Sequence, residues 1–214
     1  MKKQPKVIIL FGPPGSGKGT QAAFIKKATK GFALFDGGTE IEKMVRSKKY
    51  DDFPGIEAAR KAFFSGELVD PLWVIDRLTI PATKKLWKQG KGIIYSGSFR
   101  TVLEIFGNKK RTGLLKVVEK LYGKENIIVL QINVPVSESV KRNVKRGRPG
   151  LDEAKIIRVR YENYKKLSYP VIQGFKKAGI KVVQIDGKPK REKVWKDIAA
   201  ALSKLGVEIA VGRL

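Results

Sequence analysis

Short apolar runs rich in branched residues recur along this chain, separated by longer stretches whose apolar positions repeat every three or four residues. The runs are VIILF at 7–11, GFALF at 31–35, GIIY at 92–95, IIVLQINV at 127–134 and IKVVQI at 180–185. The first is bounded by Pro5 and Gly12 and suits a strand buried on both faces. Helical spacing falls over 19–29, 71–88, 112–122, 137–146, 152–178 and 191–205. Strands alternating with helices predict an α/β fold with a parallel sheet covered on both faces. Two regions break the alternation. Residues 39–68 read as helices inserted between the second and third strands, and GRPG at 147–150 reads as a tight loop in a charged helical region. Either is a candidate movable cover of the kind that excludes water from a reaction.

The first strand runs into FGPPGSGKGTQA at 11–22, where Gly12, Gly17 and Lys18 satisfy a phosphate-binding loop except that Gly19 follows the lysine. A strand, a glycine-rich turn and a helix starting near Lys18 are the context such a loop requires. Backbone N–H groups from Gly15 through Ser16, Gly17 and Gly19 would cradle a phosphate at the positive end of the helix.

Composition narrows the chemistry. At 214 residues, 42% of them hydrophobic, the chain is one ordinary folded domain, with room for small mobile insertions. It has no Cys and no His, which excludes disulfides, thiolate or imidazole metal sites, a Cys nucleophile and any His-based triad. The apolar run after the basic N-terminus is too short for a signal peptide, and no run approaches membrane-spanning length, so a cytoplasmic protein without membrane contact is expected. The net charge of +25 implies attraction to polyanions such as nucleotides, RNA or anionic lipid. Solvated lysine faces, as in VKRNVKRGR and GFKKAGIK, are the other reading of that charge, and both stay open.

GPPGSGKGT, with Gly19 and Thr20 after the lysine, resembles the loop of adenylate kinases and related nucleoside monophosphate kinases, and the resemblance extends over nearly the whole chain. It implies ATP and Mg²⁺ as cofactors, with Lys18 bridging the β- and γ-phosphates and the Thr20 hydroxyl near the metal. In SVKRNVKRGRPGLDEAKIIRVRYENY, the spacing of Arg142, Arg146 and Arg160 is similar to the family's catalytic arginines, with Arg148 as a fourth. Such guanidinium groups stabilise the charge spread over a transferring phosphoryl group. Asp152 and Glu153 stand one position away from the family's pair of acids, and GRPG resembles an abbreviated lid. VVQIDGKP at 182–189 resembles the segment that touches the ATP adenine, with Lys188 packing there.

The acceptor side departs from the family. In GIIYSGSFRT, Gly97, Arg100 and Thr101 match, but Ser96 stands where an Asp orients metal-bound water and Phe99 stands at a Pro position. Asp36, at the predicted end of the second strand, is the candidate replacement. Arg100 is expected to grip the acceptor phosphate. FDGGTEIEKMV resembles the segment that supplies a further phosphate-binding arginine. Aligned on Gly38 that position is Glu42, and shifted by one it is Lys43, the residue favoured here because a carboxylate repels phosphate. SGELVDP places Glu67, Leu68 and Val69 at the acceptor base. The position that usually holds an adenine-reading Gln is Glu104, which as an acceptor-only carboxylate pairs with guanine, or else faces solvent at a helix start.

The expectation is therefore a single P-loop NTPase-fold domain over residues 1–214: a five-stranded parallel sheet with helices on both faces, an acceptor-binding helical insert at about 38–69 and a short lid at about 146–152. Its expected activity is transfer of the γ-phosphoryl of Mg-ATP to a nucleoside monophosphate, by a monomer. The alternative is a diverged ATP-binding switch protein that hydrolyses ATP slowly and engages RNA or a ribonucleoprotein through its basic surface. The tail VEIAVGRL reads as an added edge strand or a partner contact.

Overall fold

The computed structural model describes residues 6–210, so the first five residues and the end of the VEIAVGRL tail lie outside the description. Seven strands are present among these residues. β1 (Val7–Phe11), β2 (Phe32–Asp36), β3 (Gly92–Ser96), β6 (Ile127–Asn133) and β7 (Lys181–Asp186) form one sheet in the order β2-β3-β1-β6-β7, and β4 (Gly107–Asn108) pairs with β5 (Arg111–Thr112) in a separate antiparallel hairpin. All pairings in the larger sheet are parallel, as the apolar runs predict. Parallel strands demand crossovers, and the helical stretches supply them. α1 (Lys18–Ala28) follows β1, and α2 (Gly37–Val45), α3 (Ile56–Ser65), α4 (Pro71–Val74) and α5 (Ile80–Lys88) lie between β2 and β3. α6 (Val102–Phe106) and α7 (Leu114–Tyr122) precede β6; α8 (Val136–Arg146), α9 (Ala154–Asn163) and α10 (Tyr169–Lys177) precede β7; α11 (Arg191–Lys204) follows it.

Alternate residues of β1 enter opposite layers, as strand geometry requires. Val7, Ile9 and Phe11 pack with Tyr95, Phe99, Val118 and Phe175 on one face, while Ile8 and Leu10 pack with Ala22, Ile25, Ile198 and Leu202 on the other. The insert has a small core of its own, built from Ile41, Met44, Val45, Ile56, Ala59, Val69 and Val74.

Two expected helices are interrupted. The stretches 71–88 and 152–178 each contain one π turn, at Ile75–Thr79 and Tyr164–Ser168. In these turns Ile80 N–H donates to the Ile75 carbonyl and Tyr169 N–H to the Tyr164 carbonyl. Pro81 or Pro170 follows at once. A proline has no N–H for the carbonyl four residues earlier, and the widened turn lets the helix continue past it. The strand expected in the tail does not form over residues 207–210. Instead Val207 is buried against the face that carries Ile198 and Leu202, and Ala210 N–H donates to the Ala28 carbonyl at 2.8 Å, tying the tail to the end of α1.

Phe175 is fully buried and meets the rings of Phe11, Phe99 and Phe106, while a Cβ on the neighbouring Gly174 would lie 2.3 Å from Phe106. Phe175→Ala is therefore expected to cost about 3–5 kcal/mol in urea unfolding. Gly174→Ala should also destabilise, through overpacking.

Candidate active site

β1 delivers the chain to the loop with Phe11 still buried. Gly15 takes φ 76°, and a Cβ there would sit 2.6 Å from the Ser139 carbonyl oxygen, so the loop is pressed against α8 in a conformation that suits glycine. Ser139 Oγ donates to the Pro14 carbonyl and fixes the same contact. α1 begins at Lys18 with Gly17 as its N-cap and no side-chain cap, leaving its first N–H groups available to an anion. Lys18 Nζ donates to the Gly12 and Pro13 carbonyls at 2.7 and 2.8 Å. Burial pushes its ammonium down to about 7, reinforced by the charges of Arg100, Arg160 and Arg146 and opposed by Asp36.

Those charges share one cavity of about 420 Å³ between the loop, the insert and α9. Arg146, from the end of α8, is held in a fork by Asp152, with Nε 2.8 Å from Oδ2 and Nη2 2.5 Å from Oδ1, and Nη2 also reaches Asn143. Asp152 accepts from Arg148 N–H as well. Burial alone would raise this carboxyl, but the hydrogen bonds and charges of Arg146 and Arg148 hold it below its ordinary range. Arg160, from α9, donates to the Leu151 carbonyl at 3.3 Å. Burial and then the neighbouring Arg100, Arg148 and Arg146 depress it to about 10. Arg100 donates from Nε to the Gly97 carbonyl at 3.0 Å.

The expected site residues Gly15, Gly17, Lys18, Gly19, Thr20, Gly38, Glu67, Leu68, Val69, Ser96, Gly97, Arg100, Glu104, Arg146, Arg148 and Arg160 all line this cavity. Four others do not. Ser16 is buried behind the loop, with Oγ 3.3 Å from Lys18 Nζ. Lys43 projects outward and pairs with Glu40 at 2.8 Å; α2 turns Glu42 to the cavity instead, where it pairs with Arg46 and Arg148. Arg142 lies one turn before Arg146, as its spacing predicts, but its guanidinium donates to the carbonyls of Gly187 and Lys188 at 2.8 and 3.0 Å and pairs with Glu138. It braces the loop that carries Lys188, whose backbone N–H is held by Asp186.

Glu104 does not face solvent, the second placement read from the sequence: it lines the cavity and also serves as a cap. It is buried, and Oε2 accepts from the N–H groups of Arg100 and Thr101 while Thr101 Oγ1 accepts from Glu104 N–H, a reciprocal cap on α6. Burial raises its carboxyl to about 7. The Thr-x-x-Glu pattern at 101–104 was the signal for this cap. Asp36 sits directly across from Ser96 in the strand register, lines the cavity and caps α2 by accepting from Thr39 N–H. Ser98 Oγ is buried at the same wall with no partner among the described residues. Only the fold brought it there, since Ser98 belongs to no pattern by itself.

A parallel sheet, a phosphate loop at the end of its central strand and five convergent cations define a P-loop phosphotransferase, and comparison with known proteins narrows the class. Residues 11–157 match the family model described as an AAA domain. The chain is 32% identical to an adenylate kinase of Maricaulis maris over 92% of its own length and 98% of the relative's. It is 29% identical to one of Phocaeicola vulgatus and 27% identical to one of Archaeoglobus fulgidus, with the same shares covered. The chain belongs to the AAA-domain family and, within the P-loop kinases, to the adenylate kinase family. No helix among the described residues is long and apolar enough to cross a membrane.

A lysine whose ammonium titrates near 7 is largely neutral at pH 8 and is recharged by a bound polyanion. Inorganic tripolyphosphate should therefore bind with uptake of up to about one proton at pH 8 and clearly less at pH 6, its affinity falling as pH rises through this range. Calorimetry in buffers of different ionisation enthalpy measures the uptake, which Lys18→Met should remove.

Proposed function

We propose that the protein transfers the γ-phosphoryl group of Mg-ATP to a nucleoside monophosphate. The observation that carries this reading is the convergence of Lys18, Arg100, Arg146, Arg148 and Arg160 on one cavity. Binding of ATP alone does not require so many cations, whereas a phosphoryl group in flight, with charge on all its oxygens, does. Gly15, Gly17, Gly19 and Thr20 would hold the donor phosphates, and Arg100 the acceptor phosphate. Residues 38–69 would enclose the acceptor, with Glu67, Leu68 and Val69 beside its base, and residues 146–152 would serve as the lid. A monophosphate oxygen is already ionised, so no general base is needed and in-line positioning supplies most of the catalysis.

The donor set fits a hydrated Mg²⁺ held chiefly by phosphates. Among the described residues no cluster of three or more acidic side chains could cage a metal. Thr20 and Ser96 would contribute hydroxyls, and Asp36, across from Ser96, a carboxylate, a set that a phosphate-bound, water-rich Mg²⁺ accepts. When bound, the ion would neutralise charge developing on the phosphates.

The switch reading draws on the absence of a carboxylate at Ser96 and on the charge of +25. One experiment separates the two. Phosphoryl transfer from Mg-ATP to AMP, GMP, CMP and UMP, assayed singly, should occur with at least one acceptor and fall by roughly a thousandfold or more in Lys18→Ala. Hydrolysis without transfer would instead favour the switch.

Glu104 offers a second outcome. Protonated, it has a donor and an acceptor, as an amide does, and suits adenine; ionised, it only accepts and suits guanine. With its carboxyl raised to about 7, the ratio of GMP to AMP turnover should climb as pH increases from 6 to 8. Glu104→Gln should flatten that dependence and favour AMP. A ratio that stays constant with pH in the wild type would remove Glu104 from base selection.

A further inference from the structure

A second cavity, of about 310 Å³, lies between Pro13 of the phosphate loop, Asn133 at the end of β6 and the tyrosines Tyr161, Tyr164 and Tyr169. Its size is at the small end of the range that ligand pockets occupy. The π turn at Tyr164–Ser168 assembles it. On an α-helix, residues five apart point about 140° away from each other, whereas the widened turn brings the ring centroids of Tyr164 and Tyr169 to 6.4 Å. Tyr161, three residues earlier, has its ring 6.2 Å from that of Tyr164.

The lining selects its occupant. The hydroxyls of Tyr95 and Tyr122 are bonded to Thr83 and to the Lys91 carbonyl, whereas those of Tyr161, Tyr164 and Tyr169 have no partner among the described residues. Lys165 lines the same opening, with Nζ 5.6 Å from the centre of the Tyr161 ring. Its ion pair with Glu162, at 3.4 Å, is half-exposed and readily exchanged. Three rings around an opening would suit a cation. Lys165 already fills that role, and a chain with 45 Lys and Arg against 20 Asp and Glu repels another. A planar aromatic ring that carries a phosphate satisfies the whole lining: it stacks on the tyrosine faces, its polar edge takes the hydroxyls and its charge takes the ammonium.

We infer that this cavity is a second nucleotide site, which takes a free nucleoside monophosphate with its base among Tyr161, Tyr164 and Tyr169 and its phosphate on Lys165. One lysine in the lining suits one phosphate, whereas a nucleic-acid strand needs a cationic track along its backbone. Tyr161, Lys165 and Tyr169 do not line the arginine-rich cavity; Tyr164 lines both and forms the wall they share. Binding here requires no phosphoryl transfer, so the site stands apart from the kinase reading.

Titration of AMP into the full chain carrying ring-labelled tyrosine, followed by NMR, tests this. The signals of Tyr161 and Tyr169 should shift saturably, while the core rings of Tyr95 and Tyr122 stay in place and report that each variant is folded. Inorganic tripolyphosphate, which suits the phosphate loop, should leave Tyr161 and Tyr169 unmoved. Adenosine, which lacks the phosphate, should bind about tenfold more weakly than AMP, and Lys165→Ala should weaken AMP by a similar factor. Arg100→Met, which alters only the other cavity, should keep the affinity read at Tyr161 and Tyr169 within about twofold. No shift at these two rings, its loss in a folded Arg100→Met, displacement of both rings by tripolyphosphate, or equal affinity for adenosine or in Lys165→Ala overturns the inference. An oligoadenylate that binds there more than about tenfold tighter than AMP also overturns it and identifies RNA as the occupant. None of these outcomes bears on phosphoryl transfer, which the acceptor assays measure separately.

Discussion

Mutual repulsion among cations is the constraint around which this structure is arranged. Lys18, Arg100, Arg146, Arg148 and Arg160 converge on one cavity, where burial first and then the neighbouring arginines depress the ammonium of Lys18 and the guanidinium of Arg160. Carboxylates make the crowding tolerable. Asp152 holds Arg146 and lies 3.7 Å from Arg160, Glu42 faces Arg148, and Asp36 acts on Lys18 and Arg100. Each of these acids also organises backbone or neighbouring side chains: Asp36 caps α2, Asp152 pins the 147–153 loop through Arg148 N–H, and Glu42 joins the insert to that loop. Charge compensation and architecture are the same set of contacts. Electrostatic preorganisation of this kind lets a site stabilise a transition state without rearranging when charge develops.

The sheet and its glycine loop were legible in the sequence because their signals are local. Five apolar runs, each buried on both faces or at a sheet edge, became the five strands within one or two residues at each end. Helices with clear periodicity were equally plain. The π turns before Pro81 and Pro170 were not, since helical periodicity continues on both sides of a single widened turn. The site was legible to the extent that its residues lie in the loop or in arginine spacings. Lys43 and Glu42 differ by one position, about 100° around a helix, and only the packing of Ile41, Met44 and Val45 against the insert core decides which one faces the cavity. Arg142 and Arg146 share a helix face, yet the carbonyls of Gly187 and Lys188 come from a segment some 45 residues away and claim the first of them. Contacts of that range leave no trace in a local pattern.

Charged groups along the wall formed by β2, β3 and α2 follow one pattern. Ser96 on β3 carries no charge, and an acid stands directly across from it at the end of β2, as Asp36. Glu42 stands where a cation was sought, and a guanidinium faces it from the loop after α8. In both places a charge on a neighbouring element faces the position in question. A position read alone does not reveal such a neighbour, whereas strand register and side-chain contacts do.

The π turn at Tyr164–Ser168 has a consequence for the phase of the long segment that contains it. Ile157 and Arg160, before the turn, are set by the 147–153 loop and the cavity; Val171, Ile172 and Phe175, after it, are set by the sheet. These two demands need not agree on one helical repeat, and a single additional residue offsets them by about 100°. Removing one residue from 164–168 would restore an uninterrupted α-helix and swing either Arg160 away from the cavity or Phe175 out of the core. The length of this segment is thereby locked to an exact residue count.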